Sequence, residues 1–397
     1  MNRTLKIDID RTTWPGRGAL PRFPRAFMGQ SSYDLNVPAM LLMIGYLTTP
    51  TSSTGVSLSE FWAWVRYLAA ISPDPTLSLT QSFAQLDAHQ KTILSDDFGM
   101  GVPLLWLAEK LALEQIVDGR YFMQKVAASI GAIQRRTSKR GPNKTPDFVA
   151  RDAIGRWHVI ECKGTQSGSI YSGSQLTDGI TQKHSITFPT GHTGQRLVCG
   201  LSIDVQGGTG SVLKIIDPEP DDPFEVNNQH LVFADDAANR GVMSRALRMA
   251  GFEVTAEAVA SPLGPVPDTR RYKSAKAENA RKRFVAEREQ RSKSELRDNA
   301  QISNLFGNVF KGREITIELP RGILVNGEFA KKVVIKQGVN RDALEELRER
   351  PTVEGPADKT HVSWAGLLGK SIIESDGPTA TMRIGSAFRS ELILVEQ

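Results

Sequence analysis

The alternation of apolar and polar residues predicts a chain of mixed helices and strands. From Ser59 to Ile71, Phe61, Trp62, Trp64, Val65, Leu68 and Ala69 recur at helical spacing, which predicts a helix with its aromatic stripe in the core. Pro103 to Val117 reads as a helix opened by a proline in its first turn. Two period-two segments follow, Thr145 to Ala150 and Trp157 to Lys163, joined by a polar turn around Asp152 and Gly155, and they predict a hairpin. A helix is expected from Ser174 to His184. Strands are expected over Arg196 to Val205 and Ser211 to Ile216, on either side of a Gly-Gly-Thr-Gly turn. His230 to Phe233 reads as a strand and Asp236 to Ala250 as a helix. Lys273 to Leu296 predicts a polar, solvated helix. Further on, Glu314 to Leu319, Lys332 to Lys336 and Leu392 to Val395 read as strands and Arg341 to Arg350 as a helix.

Strands interleaved with helices predict an α/β (α+β) protein with a mixed central sheet flanked by helices. Its 397 residues suffice for more than one core. Composition shifts divide it into a mainly helical N-terminal region (1–100), a central core (101–260), a basic helical linker (261–300) and a smaller C-terminal α+β region (301–397). The proline-rich stretch from Ser261 to Pro267 marks the clearest boundary. The start of the chain has acids where a signal peptide needs an apolar core, and Val37 to Leu47 is too short to span a bilayer. Two cysteines without a CxxC pair argue against a disulfide framework or a Cys-rich zinc site. A cytoplasmic protein without membrane contact is expected.

The formal net charge is +5, and the excess is concentrated. Arg270 to Arg297 holds eleven basic and four acidic residues, so the remainder of the chain is slightly acidic. A shorter run contains Arg135, Arg136, Lys139, Arg140 and Lys144 with no acid. Dense positive charge on a folded surface suits a polyanion, and both runs are candidates for contact with nucleic-acid phosphates, the shorter one more strongly.

The candidate chemistry lies in the hairpin. Glu161 and Lys163, two residues apart on a strand, share one face, while His158, Ile160 and Cys162 share the other. If the hairpin closes near Gly155, Asp147 comes alongside Glu161 at the opposite end. Two neighbouring carboxylates repel unless a cation lies between them, and oxygen ligands favour Mg²⁺ or Mn²⁺. A lysine beside them can orient a water or help deprotonate it, as hydrolysis of a phosphodiester requires. Taken alone, an acid, a second acid and a lysine at loose spacing occur by chance about once per chain. Here Pro146 precedes the first acid, apolar residues lead to the second, and Gly164 follows the lysine. The histidines His158, His184 and His192 lack zinc-site spacing. No Gly-x-Ser-x-Gly elbow or phosphate-binding Gly-Lys-Ser/Thr loop is present.

Pro146-Asp147 and Glu161-Cys162-Lys163 resemble the motif of the PD-(D/E)xK nuclease superfamily, over roughly Gly101 to Val205. The resemblance implies a restriction-endonuclease-like core, a Mg²⁺- or Mn²⁺-dependent phosphodiesterase, and nucleic acid as partner, DNA in preference to RNA, cut endonucleolytically in restriction, repair or defence. It implies Asp147, Glu161 and the Cys162 carbonyl as metal ligands and Lys163 as the catalytic lysine. Such nucleases often add an acid from the preceding helix. Of Glu109 and Glu114, Glu109 falls on the apolar side of the expected helix with Leu105, Ala112 and Ile116, and is the choice. They also often use a glutamine or lysine from the following helix. Gln182 is the first candidate there, with Gln175 and Lys183 behind it. Two alternatives stand beside this reading: a noncatalytic nucleic-acid-binding or assembly protein on a nuclease-like scaffold, and a nuclease subunit active only with a partner. The terminal regions could supply contacts to a second copy or to another protein.

Overall fold

A computed structural model describes residues 1–51, 66–130, 145–168, 176, 186–217, 223–261, 275–299, 302–325 and 328–396. In chain order its first nine strands are β1 (Asn2–Ile9), β2 (Ser32–Asn36), β3 (Leu113–Asp118), β4 (Phe148–Asp152), β5 (Trp157–Thr165), β6 (Ile186–Thr187), β7 (Thr193–Ser202), β8 (Val212–Ile216) and β9 (Phe224–Glu225). Seven of them form a mixed sheet in the order β2-β1-β8-β7-β5-β4-β3, and β6 pairs separately with β9. The β1–β8 and β5–β7 pairs are parallel and the other neighbours in the seven-stranded sheet are antiparallel. A second, fully antiparallel sheet at the C-terminal end has the order β10-β11-β12-β15-β14-β13. Its strands are β10 (Ser303–Leu305), β11 (Phe310–Val325), β12 (Glu328–Asn340), β13 (Ser371–Asp376), β14 (Thr379–Ile384) and β15 (Phe388–Glu396).

The helices that matter below are α1 (Val37–Thr48), α2 (Ala88–Lys110), α3 (Gly119–Ser129), α4 (Leu231–Met249), α5 (Glu253–Ala260), α6 (Ala275–Asp298) and α7 (Arg341–Glu349). Helix α1 is apolar on every side and buried from Val37 to Leu47, as expected for a helix with no solvent face. It packs on α2 and also on β14 and β15, so one helix serves both sheets. Asn36 caps it through the Ala39 N–H and also donates to the Gly377 carbonyl in the second sheet.

Several sequence expectations are corrected. The N-terminal region, expected to be mainly helical, also contributes β1 and β2 to the large sheet; Leu5 and Ile7 point into the core while their polar neighbours face out. Pro103 lies inside α2 and does not open a helix, and the segment from Leu113 to Asp118 is strand β3. Residues Leu231 to Phe233 begin α4, and a short 3-10 turn precedes them. Their brief apolar run fits strand and helix alike, and the apolar positions that continue to Met249 decide for the helix. The expected stripe from Ser59 to Ile71 lies mostly outside the described residues, although Tyr67, Leu68 and Ala70 at its end are buried. Of the expected helix from Ser174 to His184 only Leu176 is described, buried against Val198 and Ile216. Among the described residues no helix is long and apolar enough to cross a membrane.

Helix α4 carries a buried charge cluster. Arg240 is bonded to Asp236 at 2.6 Å and donates to the carbonyls of Val259, Val353 and Gly355, which ties α4 to α5 and to the segment after α7. Removing one member of a buried pair leaves the other charge uncompensated, so Arg240→Ala should cost about 3–5 kcal/mol in denaturant unfolding. An Asp236→Asn variant should show a loss of the same order, since the amide still accepts but leaves the buried Arg240 guanidinium without its counter-charge.

Helix α6 forms over most of the expected polar segment and is largely exposed, but it is also fixed along one face. Glu295 accepts the Val254 and Thr255 N–H groups at 2.9 and 2.8 Å, capping the first turn of α5 from outside. Ser292 is buried against Thr255, and Arg288 pairs with Glu257 and donates to the Ser261 carbonyl.

Candidate functional site

The site forms where the last residues of β3 and the middle of β5 meet the start of β4. The hairpin turn is held by Asp152, which accepts the Ile154 and Arg156 N–H groups and contacts buried His158 at 3.2 Å. From this turn the strands pair through Phe148 opposite Ile160, and Asp147 and Glu161 stand just beyond the last pair. On the other side, Asp118 pairs with Phe148 and the Gly119 N–H donates to the Asp147 carbonyl at 2.9 Å. Gly119 is required here because a Cβ would lie 2.1 Å from the Pro146 carbonyl oxygen.

The three motif side chains converge. The Cys162 N–H donates to Asp147 Oδ2 at 2.8 Å, the Asp147 N–H donates to Glu161 Oε2 at 3.2 Å, and Lys163 Nζ donates to Glu161 Oε1 at 2.7 Å. Glu161 is 5% exposed and the Lys163 side chain 25%, so the acid sits in the wall and the amine reaches the opening. Neither a known family model, nor a curated protein, nor a solved structure matches the chain.

Burial, followed by the nearby Glu161 charge, pushes the Asp147 carboxyl up to about 7; Lys163 and the Cys162 N–H act against this, and Asp118 adds to it. Burial works against the Lys163 ammonium, but Glu161 and Asp147 outweigh it and the net direction is upward. Lys163 is thus a cation at neutral pH. Cys162 points to the opposite face of the strand, where burial raises its thiol well above the ordinary value.

Helix α2 lies across β5 at closest range. A Cβ on Gly164 would stand 1.7 Å from the Ser95 carbonyl oxygen and 3.1 Å from the Gly99 Cα. Both glycines permit backbone contact that any larger residue prevents. Gly164→Ala should therefore destabilise the protein by about 1–3 kcal/mol in thermal unfolding and displace α2 from the site. This contact brings Asp96, open to solvent on α2, into the field of the Lys163 ammonium; partial desolvation raises the Asp96 carboxyl and Lys163 opposes the rise.

Glu109 is not part of this cluster. It is exposed, paired with Lys110 at 2.8 Å, and lies beside Tyr33 in a crevice facing β13 and β14. The thirteen residues that separate it from Asp96 correspond to about 20 Å along a helix. Glu114, the other acid weighed, lies on β3, where its carbonyl accepts Ser371 Oγ. The acids that the fold does bring near the motif are Asp96 and Asp118. Asp118 had a sequence signal, since an aspartate before a glycine and an apolar helical run is a helix cap, and it accepts the Tyr121 N–H at 2.8 Å. Gln182, Gln175 and Lys183, and the basic residues Arg135, Arg136, Lys139, Arg140 and Lys144, lie outside the described residues.

The donor set fits a hard divalent cation in part. Among the described residues no group of three or more His, Cys, Asp or Glu could hold a metal ion, so the carboxylates available are Asp147 and Glu161. Asp147 Oδ1 accepts no hydrogen bond among the described residues. A strand residue directs its N–H and C=O to the same side, which places the Cys162 carbonyl on the side of Asp147. Two carboxylates and a carbonyl suit Mg²⁺, which commonly keeps several waters and completes its shell with substrate phosphates.

Proposed function

We propose that the protein is a Mg²⁺- or Mn²⁺-dependent nuclease with a restriction-endonuclease-like core, hydrolysing phosphodiester bonds in nucleic acid, DNA in preference to RNA. The observation that supports this most is the convergence of Asp147, Glu161 and Lys163, with the Lys163 ammonium bonded to buried Glu161 and in the field of the neighbouring Asp147 carboxyl. Asp147, Glu161 and the Cys162 carbonyl would hold the cation, and when bound it would supply an acidified water and charge for the phosphate oxygens.

The residues of the chain have separable tasks. Asp147 stays oriented because the Cys162 N–H fixes one of its oxygens. Glu161 positions the Lys163 ammonium. As a cation, Lys163 stabilises negative charge growing on phosphate oxygens and orients the attacking water by donating to it; proton acceptance would require loss of its own proton first. The tight α2–β5 contact keeps the wall behind Lys163 rigid.

The test incubates the full chain with labelled duplex DNA, single-stranded DNA and RNA, with Mg²⁺, Mn²⁺ or EDTA, and separately follows thermal unfolding with and without Mn²⁺. Metal-dependent cleavage together with stabilisation by Mn²⁺ is the expected result. The absence of both cleavage and stabilisation would refute the proposal. Binding without cleavage would favour the scaffold reading.

A further inference from the structure

The docking of α6 by one face leaves a second face whose composition is unusual. At 3.6 residues per turn, Lys276, Arg283, Lys293 and Arg297 lie in one row, with Asn279, Ala286 and Gln290 between them, spaced alternately three and four residues apart. All seven are exposed. The opposite side carries the buried Arg288 and Ser292 and the half-buried Glu295 and Leu296. Apolar residues at such spacing would make a coiled-coil seam; here the row holds four cations, two amides and an alanine. Glu287 and Asp298 flank the row, and Asp298 pairs with Arg297 at 2.9 Å. Among the described residues Lys276, Arg283 and Lys293 make no ion pair, unlike Arg281 and Lys282 beside them.

The row does not end with the helix. Arg297 lines one recess with Gln290, Lys293, Ser294 and one acid, Glu289, which accepts from Thr352 Oγ1, and also lines a cleft of about 340 Å³ against the second sheet and α7. Lys311 and Arg348 line that cleft with Asn299 and Asn304, and it has no acid among its described lining residues. The row and cleft together form one mainly cationic surface with hydrogen-bond donors, with Phe252, Leu296, Ile302 and Leu344 also lining the cleft.

We propose that this surface is a track for the phosphodiester backbone of the nucleic acid, which α6 engages along its length and the Lys311–Arg348 cleft holds at one end. From Lys276 to Arg297 the row spans about 32 Å at 1.5 Å per residue, close to the roughly 34 Å of one duplex turn. Among the described residues the seven-residue row on α6 carries no large apolar or aromatic side chain, so the row offers charge and spacing and no platform for bases. It also connects to the candidate site: Arg288, on the inner face of α6, donates to the Ser261 carbonyl, the neighbouring Ala260 carbonyl accepts Tyr121 Oη, and the Tyr121 N–H is capped by Asp118. This assignment rests on the nucleic-acid partner proposed above but does not depend on cleavage.

The experiment measures equilibrium binding of the full chain, in EDTA, to labelled duplex DNA, single-stranded DNA and RNA of about 30 nucleotides, from about 50 to 200 mM salt. Wild type is compared with Lys276→Gln/Arg283→Gln/Lys293→Gln/Arg297→Gln, with Lys311→Gln/Arg348→Gln, and with Lys276→Arg/Arg283→Lys/Lys293→Arg/Arg297→Lys. The quadruple glutamine variant should bind about 10²–10³-fold more weakly and lose about 3–4 from the slope of log affinity against log salt; the double variant should lose about 2. The charge-keeping variant should bind as wild type. The polymer showing the largest loss is the one the track carries. The altered side chains are exposed except for the half-buried Lys311, so melting temperatures should be unchanged in the quadruple variants and little changed in the double variant, and that is checked directly. Unchanged binding and slope in the glutamine variants, or no binding by wild type, overturns the proposal. Loss of binding in these variants with no metal-dependent cleavage by wild type would leave the track standing and remove the nuclease, and cleavage with normal binding in the variants would do the reverse.

Discussion

Lys163→Met should lower metal-dependent cleavage by about 10²–10⁴-fold, the range typical for loss of a positioned proton-transfer or charge-stabilising group. Methionine keeps the length and apolar stem but cannot donate to Glu161 or to a phosphate oxygen. Stabilisation by Mn²⁺ should survive, because Asp147, Glu161 and the Cys162 carbonyl remain. A variant that lost metal-dependent stabilisation along with activity would show that the lysine supports the fold of the site and not the chemistry. Arg at this position would keep the charge but carries a broader, planar head, so partial recovery is the expected outcome.

Asp147→Asn should abolish cleavage and at the same time stabilise the protein without metal at alkaline pH. The Asp147 carboxyl is raised to about 7 by burial and then by Glu161, whereas in an unfolded chain it titrates near 4. The folded state therefore keeps a proton that the unfolded state releases. Stability from this group is complete below about pH 4 and declines as pH rises through about 7. An asparagine, neutral at all these pH values and still able to accept the Cys162 N–H, removes that penalty. The gain over wild type should be absent at pH 4 and grow to at most about 4 kcal/mol at pH 8. In wild type, added Mn²⁺ should recover a comparable stabilisation at pH 8; in the variant it should not. Thermal unfolding at the two pH values, with and without Mn²⁺, measures all four quantities. A wild type more stable than the variant at pH 8 without metal would contradict the placement of two crowded carboxylates.

The hairpin and its acid–lysine face were legible because they depend on local rules. Side chains alternate on a strand, and a turn near Gly155 sets which residues lie opposite one another. The third acid was not legible. Glu109 was favoured by placing it on a helix from Pro103 to Val117, but Pro103 is accommodated inside α2, and Leu113 to Asp118 turns into a strand. What selects the stretch of α2 near the site is the close approach of Gly164 to Ser95 and Gly99, a tertiary contact between residues about seventy apart that leaves no periodic trace. The N-terminal strand does leave a trace in the sequence: Leu5, Ile7 and Ile9 alternate with the charged Lys6 and Asp8 at the period of a strand. The inward face of α6 was hidden for another reason. It is anchored by Glu295, Ser292 and Arg288, and polar anchors do not register in an apolar periodicity.

Helix α1 has consequences for how the chain comes apart. With α2 on one side and strands of the C-terminal sheet on another, it has no surface suited to water, and detaching that sheet would bare a row of leucines, methionines and isoleucine. The two sheets are thus bound to a common melting event: the candidate hairpin, although distant in sequence from the last hundred residues, keeps its shape only while they stay folded.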